Sequence, residues 1–481
     1  MNHKIPLRFI TSAAAGVLLS VISLSAVSPW ANSGISAATP QSDAASGISV
    51  RTEFPDVTSD KWFYDDVTAL AKRGIISGYP DGYFYPEREV SNSDFVKILI
   101  SSVGYDIDTP VGEEIFPDNR ASEYLSLAYA LGFITDEALE AGFSPEAPIT
   151  RADMTRMTVM ALGIDPAPVD DPFSDTSDDY AKAAFGEYIL RGVPDKKGGR
   201  LYNGTGSATR SEAAAIAMRI IGYMNDPYGY FKEQVLYNAA HNYLETEAEF
   251  MDLFYVLNRE LIEEFTFKTS LPMDVWTRYY NTSYIINLEY FYFSELLCSY
   301  VPGNNTYKLI LKYENDPDTL KKFHTEASES ADEVISRILD ENMTADERIK
   351  AIHDYLVLYC EYDYVNYTDG KIPVESLVAY GPLNAHIAVC QGYAAAFNML
   401  CERAGIRAAA VNGTSPASPD AHVWNMVLLD GEILYVDVTR DDPVPDKKGQ
   451  ISYKYYLLTE DEMTMLGYLW DKSTTKLKYL Y

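Results

Sequence analysis

Two strand-like runs of apolar residues stand close together near the end of the chain. They cover residues 421–429 and 432–438 and are separated only by Asp430-Gly431. Asp-Gly is a favoured two-residue turn for a β-hairpin. The pattern therefore predicts a hairpin whose register pairs Leu429 with Glu432.

This register brings two polar side chains of the hairpin together. Counting back from the turn, Trp424 stands opposite Asp437 and His422 stands opposite Thr439. His422 and Asp437 are then diagonal neighbours, with backbones about 7–8 Å apart. A carboxylate reaches an imidazole N–H over that span. The hairpin alone predicts a base and the carboxylate that orients it.

A helix is predicted upstream of the hairpin, over residues 391–404, with Gly405 ready to end it. Cys390 falls in its first turn, where unpaired amides and the positive end of the helix dipole favour a thiolate. The alternative interpretation is that Cys390 is a small buried apolar residue. His386, four residues earlier, is a rival to His422 as the base, but its loop offers no orienting carboxylate.

The first half of the chain repeats one helical pattern three times. Each unit opens on a Phe/Pro/Asp motif, continues through a helix and a glycine turn, and closes on a polar motif before an apolar helix. The opening motifs are Phe54-Pro55-Asp56-Val57, Phe116-Pro117-Asp118 and Pro172-Phe173-Ser174-Asp175. The units are assigned to residues 54–111, 112–170 and 171–225.

The closing motifs recur every 59 residues, at Asn92, Arg151 and Arg210. The residues before them are Ser91, Thr150 and Thr209, and each of these stands three positions before an acid. That spacing is typical of a helix N-cap. The closing motifs therefore have a structural role whatever else they bind.

The stretch 226–343 shows no catalytic motif and is predicted to be a small α+β region. Residues 231–265 have a helical pattern, and strands are predicted at 265–269, 284–288 and 307–313. Thr344 to Glu347 then forms a capping box for the next helix. His353 lies beside the apolar stripe of that helix, which favours a structural histidine.

Composition and charge restrict the function. The chain has 481 residues and a net charge of −31, which argues against a nucleic-acid partner. Lys4 and Arg8 precede an apolar run at 9–27, and we interpret residues 1–31 as a signal peptide cleaved between 26 and 38, followed by a linker at 32–53. An uncleaved anchor helix is the alternative. After cleavage no transmembrane segment is expected.

The four cysteines do not suggest a disulfide framework. If Cys390 is catalytic, an odd number remains among Cys298, Cys360 and Cys401. Cys390 and Cys401 are also about 16 Å apart along one predicted helix, too far to bond.

The three units resemble S-layer homology (SLH) repeats over residues 54–224. The resemblance implies an all-α, pseudo-threefold assembly whose grooves bind a pyruvylated secondary cell wall polysaccharide, with Arg151 and Arg210 as ligand contacts. The first repeat has Asn92 where arginine is usual, and the second lacks the turn Gly78-Tyr79-Pro80-Asp81-Gly82 of the first. We therefore expect one or two working grooves.

The C-terminal part, 344–481, resembles the bacterial transglutaminase-like superfamily, which has an α+β, papain-like core. The matching motifs are Val389-Cys390-Gln391-Gly392-Tyr393-Ala394, Ala421-His422-Val423-Trp424-Asn425 and Val436-Asp437-Val438-Thr439. The resemblance implies Cys390 as nucleophile, His422 as base and acid, and Asp437 as orienter. Asn384 is a candidate oxyanion donor. No cofactor or metal is expected.

Together the two resemblances imply a secreted enzyme at the cell wall or S-layer surface. Its partners would be the wall polysaccharide and a wall peptide or surface protein whose amide bonds it hydrolyses or transfers. The sequence leaves open which acceptor, water or an amine, takes the acyl group. The alternative is a non-catalytic surface module that serves for binding or structure.

Overall fold

The computed structural model describes residues 4–7, 52–109, 111–164, 172–194, 200–286, 293–301, 305–313, 315–444, 447 and 449–470. They belong to two compact units, one made of residues 26–233 and the other of residues 1–25 with 234–481. The predicted signal peptide lies outside the described residues except for a short strand, β1 (Lys4–Leu7). The apolar run at 9–27 lies outside the described residues, as does the predicted linker except for residues 52 and 53.

The repeat unit is mainly helical. Its helices are α1 (Tyr64–Lys72), α2 (Asn92–Val103), α3 (Ser122–Ala130), α4 (Asp136–Glu140), α5 (Arg151–Leu162), α6 (Asp179–Gly186), α7 (Arg210–Asn225) and the first part of α8 (Pro227–His241). Two short strands, β2 (Val193–Pro194) and β3 (Arg200–Leu201), pair antiparallel. The unit ends at Glu233, inside α8, a few residues later than the boundary expected at 225.

The predicted N-caps are confirmed. The side chains of Ser91, Thr150 and Thr209 each accept a hydrogen bond from the backbone three residues on, at the starts of α2, α5 and α7. Glu212 completes a capping box with Thr209. These bonds satisfy amides that the first helical turn leaves without a partner.

Three backbone hydrogen bonds link the repeats in a closed ring. Val90 N donates to Ala208 O at 3.0 Å, Ala208 N to Ile149 O at 2.9 Å, and Ile149 N to Val90 O at 3.0 Å. Each residue lies just before the closing motif of its own repeat, and all three are buried. The ring explains why the closing motifs recur at a fixed spacing, since each must meet its two counterparts.

The opening motif also has a structural role. Asp56 accepts hydrogen bonds from the backbone of Phe84 at 2.9 Å and of Tyr85 at 2.7 Å. In the third repeat, Asp175 does the same for Tyr202 and Asn203, both at 2.8 Å. A carboxylate that accepts two amides fixes the turn before the closing motif.

The second unit begins with the end of α8 and then forms a mixed layer of helices and strands. These are α9 (Glu247–Arg259), β4 (Glu264–Lys268), α10 (Met273–Ile286), β5 (Phe293–Val301) and β6 (Thr306–Tyr313). The strands form an antiparallel sheet in the order β1-β5-β6-β4.

The strand predicted at 284–288 is wrong where the structure describes it, since residues up to Ile286 belong to α10. Trp276 and Tyr280, one helical turn apart, are both buried and pack on Phe250 and Phe254. This helical contact overrides the β propensity of the residues that follow.

The remainder holds the predicted core. Its helices are α11 (Pro317–Ile338), α12 (Ala345–Tyr359), α13 (Tyr364–Asp369), α14 (Cys390–Arg403), α15 (Val438–Asp441) and α16 (Glu460–Met465), with helical turns at Val374–Leu377 and Gly381–Ala385. Its strands are β7 (Glu361–Tyr362), β8 (Ile387–Ala388), β9 (Ala408–Ser415), β10 (Ser418–Leu429), β11 (Glu432–Val436) and β12 (Leu469–Trp470). The capping box at Thr344 is confirmed.

The main sheet has the order β11-β10-β9-β12 and is antiparallel throughout. One face, with Val427 and Val436, packs in a core shared with α11, α12 and α14. The other face, with Trp424 and Tyr435, packs on a smaller core that includes Tyr468. The sheet thus lies between two apolar layers, and the site residues lie at one end of β10.

Candidate active site

Cys390 is the first residue of α14, as the sequence predicts. The helix start is held against the turn Val374–Leu377, because Val389 N donates to Ser376 O at 3.0 Å. Gly392 is required for this fit, since a Cβ there would lie 2.5 Å from the same carbonyl. Cys390 is half-buried, whereas the other three cysteines are buried.

His422 lies on β10 directly opposite Gly413 of β9. A Cβ at Gly413 would meet the backbone oxygen of Leu469 at 2.2 Å. Glycine therefore allows β12 to approach β9 beside the histidine. His422 itself is buried, with 2% of its surface exposed.

The predicted hairpin register is confirmed, from Leu429 opposite Glu432 to Asn425 opposite Val436. The strand then ends, and α15 begins directly after Asp437. The prediction of Thr439 opposite His422 is therefore wrong. The cause is local, because Asp437 Oδ1 accepts the backbone N–H of Arg440 at 3.1 Å and turns the chain into a helical turn.

His422 and Asp437 meet as the hairpin predicts. Nε2 of His422 lies 2.6 Å from Oδ2 of Asp437, and both side chains are buried. The Cys390 thiol lies close enough to His422 to help raise the pKa of the imidazole. Since Nε2 faces the carboxylate, Nδ1 is the nitrogen left for the sulfur. The three residues thus lie together at one site.

The electrostatics of this group favour a charged imidazole. Burial lowers the pKa of His422, but the negative charge of Asp437, its hydrogen bond and the nearby Cys390 thiol raise it more, to about 9. A histidine with this pKa carries both protons at neutral pH.

Tyr468 is a part of the site that sequence reasoning missed. Its hydroxyl donates to Asp437 Oδ2 at 2.6 Å. Burial and the Asp437 carboxylate raise the pKa of Tyr468, so the hydroxyl remains a donor. Its ring also packs against Trp424 and His422. No motif signalled it, because it is one of 38 tyrosines and lies 31 residues beyond its partner.

Tyr362 and Arg440 are further groups of this region that were not predicted. Burial raises the pKa of the Tyr362 hydroxyl, the Cys390 thiol raises it further, and the Arg440 guanidinium opposes both. Both groups are therefore within electrostatic range of one hydroxyl. The Arg440 guanidinium is held by Ser418 Oγ at 2.5 Å and Ser415 Oγ at 3.3 Å.

The predicted oxyanion donor is not supported. The Asn384 amide Nδ2 points to α11, where it donates to Ser330 Oγ at 2.9 Å and lies 3.4 Å from Glu326 O. Its donor is therefore occupied by a structural contact. His386, the rival base, is exposed, whereas His422 is buried against Asp437 and its pKa responds to the Cys390 thiol.

His353 has the structural position that its sequence context favours. It is fully buried, with Nδ1 3.1 Å from Asp354 and Nε2 3.3 Å from Asp441. The contact with Asp441 joins α12 to α15, the helix that Asp437 caps. All four cysteines, which lie within the described residues, are free, so the doubt about a disulfide framework is confirmed.

Arg151 and Arg210, which are predicted to contact polysaccharide, and Asn92 at the equivalent position of the first repeat are each the first residue of a helix. Each side chain forms a hydrogen bond with a residue of another repeat. Arg151 donates from Nη2 to Glu212 Oε1 at 2.6 Å. Arg210 donates to the carbonyls of Phe84 and Ser77 at 2.9 and 2.8 Å, above the rings of Phe84 and Tyr79. Asn92 donates to Ser144 O at 2.8 Å.

Within the described ranges, no helix combines the length and apolar character needed to span a bilayer. No cluster of three or more His, Cys, Asp or Glu side chains there has the arrangement of a metal site.

Comparison with known proteins supports both halves of this architecture. The S-layer homology domain family matches residues 53–95, and the transglutaminase-like superfamily matches residues 332–438. The chain thus has a two-domain architecture. It carries an S-layer homology domain and a transglutaminase-like domain.

Curated relatives point to a location at the cell surface or cell wall. A surface-layer 125 kDa protein of Lysinibacillus sphaericus is 32% identical over 107 residues, which is 21% of this chain and 9% of that protein. The S-layer protein EA1 of Bacillus anthracis is 25% identical over 167 residues, which is 34% of this chain and 19% of that protein. The chain therefore spans less than a fifth of either relative.

Among solved structures, a crystal structure of a TGase is 15% identical. The likeness covers 33% of this chain and 47% of that one, with a TM-score of 0.23. A likeness this low does not define a shared activity.

Proposed function

We propose that the protein is a cell-wall-anchored cysteine enzyme that acts on amide bonds of wall peptides or surface proteins. The observation that supports this proposal best is the 2.6 Å contact between buried His422 and Asp437, with the Cys390 thiol close enough to the imidazole to help raise its pKa. A half-buried sulfur beside a charged imidazole is the arrangement that nucleophilic catalysis needs.

The reaction follows from the positions of these groups. The Cys390 thiolate attacks the amide carbonyl, and the C–N bond breaks as His422 gives its Nδ1 proton to the leaving amine. The thioester then reacts with water or a second amine. Neutral His422 takes the proton of that acceptor, and Cys390 is released as a thiolate beside the imidazolium.

The negative oxygen of the intermediate needs donors. The backbone N–H of Cys390 stands at the start of α14, where no intrahelical acceptor exists. It therefore takes the place of Asn384 in the proposal, and the helix dipole adds a favourable field.

Acyl-enzyme formation tests this proposal. The full chain is incubated with a peptide thioester or ester, quenched in acid and analysed by mass spectrometry. We expect the acyl group on Cys390, and its loss in Cys390→Ala and His422→Ala. Cys401→Ser is the matched control, because Cys401 is buried on the same helix and burial raises its pKa.

Two outcomes of this experiment separate the alternatives. Release of acid without added amine identifies a hydrolase, whereas formation of an amide on adding an amine identifies a transferase. No acylation of the folded protein by any ester would instead favour the non-catalytic surface module.

We further propose that the three repeats form a pseudo-threefold assembly that binds secondary cell wall polysaccharide through Arg151 and Arg210. The closed ring formed by Val90, Ile149 and Ala208 supports the threefold arrangement. Arg210 is the stronger candidate contact, because its guanidinium lies over the rings of Tyr79 and Phe84, whereas Arg151 forms an ion pair with Glu212.

Co-sedimentation of the full chain with purified wall polysaccharide tests this second proposal. Arg210→Gln should weaken binding by about tenfold or more if the guanidinium contacts an acidic sugar substituent. Arg120→Gln is the control, since it removes the same charge from an exposed arginine of the repeat unit. Equal binding of the folded Arg151→Gln and Arg210→Gln variants and the parent would contradict the proposed contacts.

A further inference from the structure

Arg440 is fixed to the proposed catalytic group by its backbone. Its N–H donates to Asp437 Oδ1 at 3.1 Å, while the other oxygen of that carboxylate binds His422. The main chain of Arg440 therefore cannot shift without moving the orienting carboxylate. The backbone position from which the Arg440 side chain extends is therefore fixed next to the site.

The guanidinium is also held in place, but only by neutral groups. Nη2 donates to Ser418 Oγ at 2.5 Å and to Ser415 Oγ at 3.3 Å, at the turn that joins β9 to β10. No carboxylate of a described residue forms an ion pair with it. The positive charge of Arg440 is thus positioned without being neutralised.

Part of the guanidinium remains unused. Arginine presents five N–H donors, and here the hydrogen bonds to Ser415 and Ser418 use Nη2 alone. Nε is buried without a partner, whereas Nη1 is accessible and makes no hydrogen bond to a described residue. An accessible, unpaired Nη1 fits an anionic acceptor that arrives from solution.

The positive charge of Arg440 affects hydroxyl groups around the proposed nucleophile. The Tyr362 hydroxyl is within electrostatic range of both Cys390 and Arg440. The Tyr468 hydroxyl, bound to Asp437, is within range of Arg440 as well. Arg440 therefore lies close enough to influence a molecule that is bound at the Cys390 sulfur.

The overall charge makes this local cation significant. A chain with a net charge of −31 repels anions at long range. An anionic substrate then needs a local positive group at the place where it binds. Arginine is suited to this role because its guanidinium stays charged and makes charge-assisted hydrogen bonds to carboxylates.

We propose that Arg440 binds a carboxylate of the acyl-donor peptide, so that the site selects amides with a free carboxylate close to the bond that reacts. The inference rests on the proposed function, with Cys390 as the nucleophile. It adds the substrate class, an acidic peptide. A terminal carboxylate and an acidic side chain present the same chemistry.

Alkylation of Cys390 with two matched reagents tests the inference without a known substrate. Iodoacetate carries a carboxylate and iodoacetamide a neutral amide, and with both the thiolate displaces iodide to give a thioether. The measured quantity is the ratio of the two rates at Cys390, followed by peptide mass spectrometry on the full chain.

We expect Arg440→Gln to lower the ratio of the iodoacetate rate to the iodoacetamide rate by about tenfold, as one charge-assisted contact predicts. Arg440→Lys should restore part of it, and high salt should reduce the parent's ratio. Arg403→Gln is the control, because it removes the same charge from the far end of α14 and should leave the ratio unchanged.

The outcomes distinguish this inference from the proposed function. If Cys390 reacts rapidly but Arg440→Gln leaves the ratio unchanged, Arg440 does not bind the carboxylate, and the assignment of Cys390 as the nucleophile is unaffected. If Cys390 reacts as slowly as buried Cys401 with both reagents, the nucleophile and the inference both fail. Two peptide esters, one with a terminal carboxylate and one with an acidic side chain beside the ester, then decide between the two sources of the carboxylate.

Discussion

Tyr468 donates its hydroxyl proton to Oδ2 of Asp437, the same oxygen that binds His422. The remaining oxygen accepts the Arg440 amide, so the buried carboxylate has a partner on each side. A buried charge that is fully hydrogen-bonded keeps one orientation. Asp437 therefore orients His422 as a fixed group that three elements of the fold hold in place.

Removal of the Tyr468 hydroxyl should weaken catalysis without unfolding the protein. Tyr468→Phe deletes one hydrogen bond to a charged acceptor, and we expect kcat/KM to fall by about tenfold. Tyr455→Phe is the control, because Tyr455 packs on Tyr468 and its hydroxyl bonds to no described residue. Steady-state kinetics on an ester substrate provide the measurement. An equal loss in both variants would indicate a general packing effect.

Asn425 joins the strand of the base to the helix of the nucleophile. Its buried Nδ2 donates to Ala394 O at 3.0 Å and to Asn398 Oδ1 at 2.9 Å. Asn425→Ala should lower the free energy of unfolding of this unit by about 2 kcal/mol, since two buried bonds are lost. Urea unfolding followed by tryptophan fluorescence measures the change.

Asn412→Ala is the matched control for Asn425, because Asn412 is exposed on the neighbouring strand. Its effect should stay within about 0.5 kcal/mol. Similar stability of the two variants would show that Asn425 does not hold the helix and the sheet together.

The pKa of His422 predicts the pH dependence of activity. The imidazolium persists to about pH 9, so kcat/KM should fall above that pH as the acid is lost. Asp437→Asn removes the charge that raises the pKa and leaves the burial that lowers it. The titration of His422 should then move to about 6.5 or below, and the rate should drop steeply, since the comparable change in a serine triad costs about four orders of magnitude.

The raised pKa of His422 also makes the stability of the fold depend on pH. The folded pKa of His422 lies above the ordinary value of about 6.5, so the protonated ring stabilises the fold fully below that pH. This contribution is lost as pH rises from about 6.5 through about 9. NMR of labelled histidine, assigned with His422→Gln, and thermal unfolding against pH provide the two measurements. A parent His422 that titrates near pH 6.5 would contradict the prediction.

The hairpin register is open to a direct test by insertion. β10 is paired with β9 on its other side, so one residue added between Asp430 and Gly431 should displace β11 instead of His422. Asp437 would then leave the histidine, and activity should collapse although Cys390 is intact. The control is the same insertion beside Gly449, in an exposed loop. Acylation at the parent rate would show that the turn does not set the site.

Much of the site could be predicted because its features are local in sequence. The Asp430-Gly431 turn fixed the register of the hairpin, and the helix that starts at Cys390 was predicted from its own composition and Gly405. The prediction for Thr439 failed one step beyond the strand, where the Asp437 side chain caps a helical turn. The strand predicted at 284–288 failed because packing of Trp276 and Tyr280 favoured the helix.

The sequence by itself determined the repeats, the helix caps, the turn and the three residue types of the proposed triad, since each depends on near neighbours along the chain. Only the tertiary structure decided that Tyr468 holds Asp437, that Asn384 faces α11, and that the Arg440 guanidinium is held by Ser415 and Ser418 with an unused donor. These contacts join residues far apart in sequence. They exist only after the sheet and its two apolar layers have packed, and no local pattern records that packing.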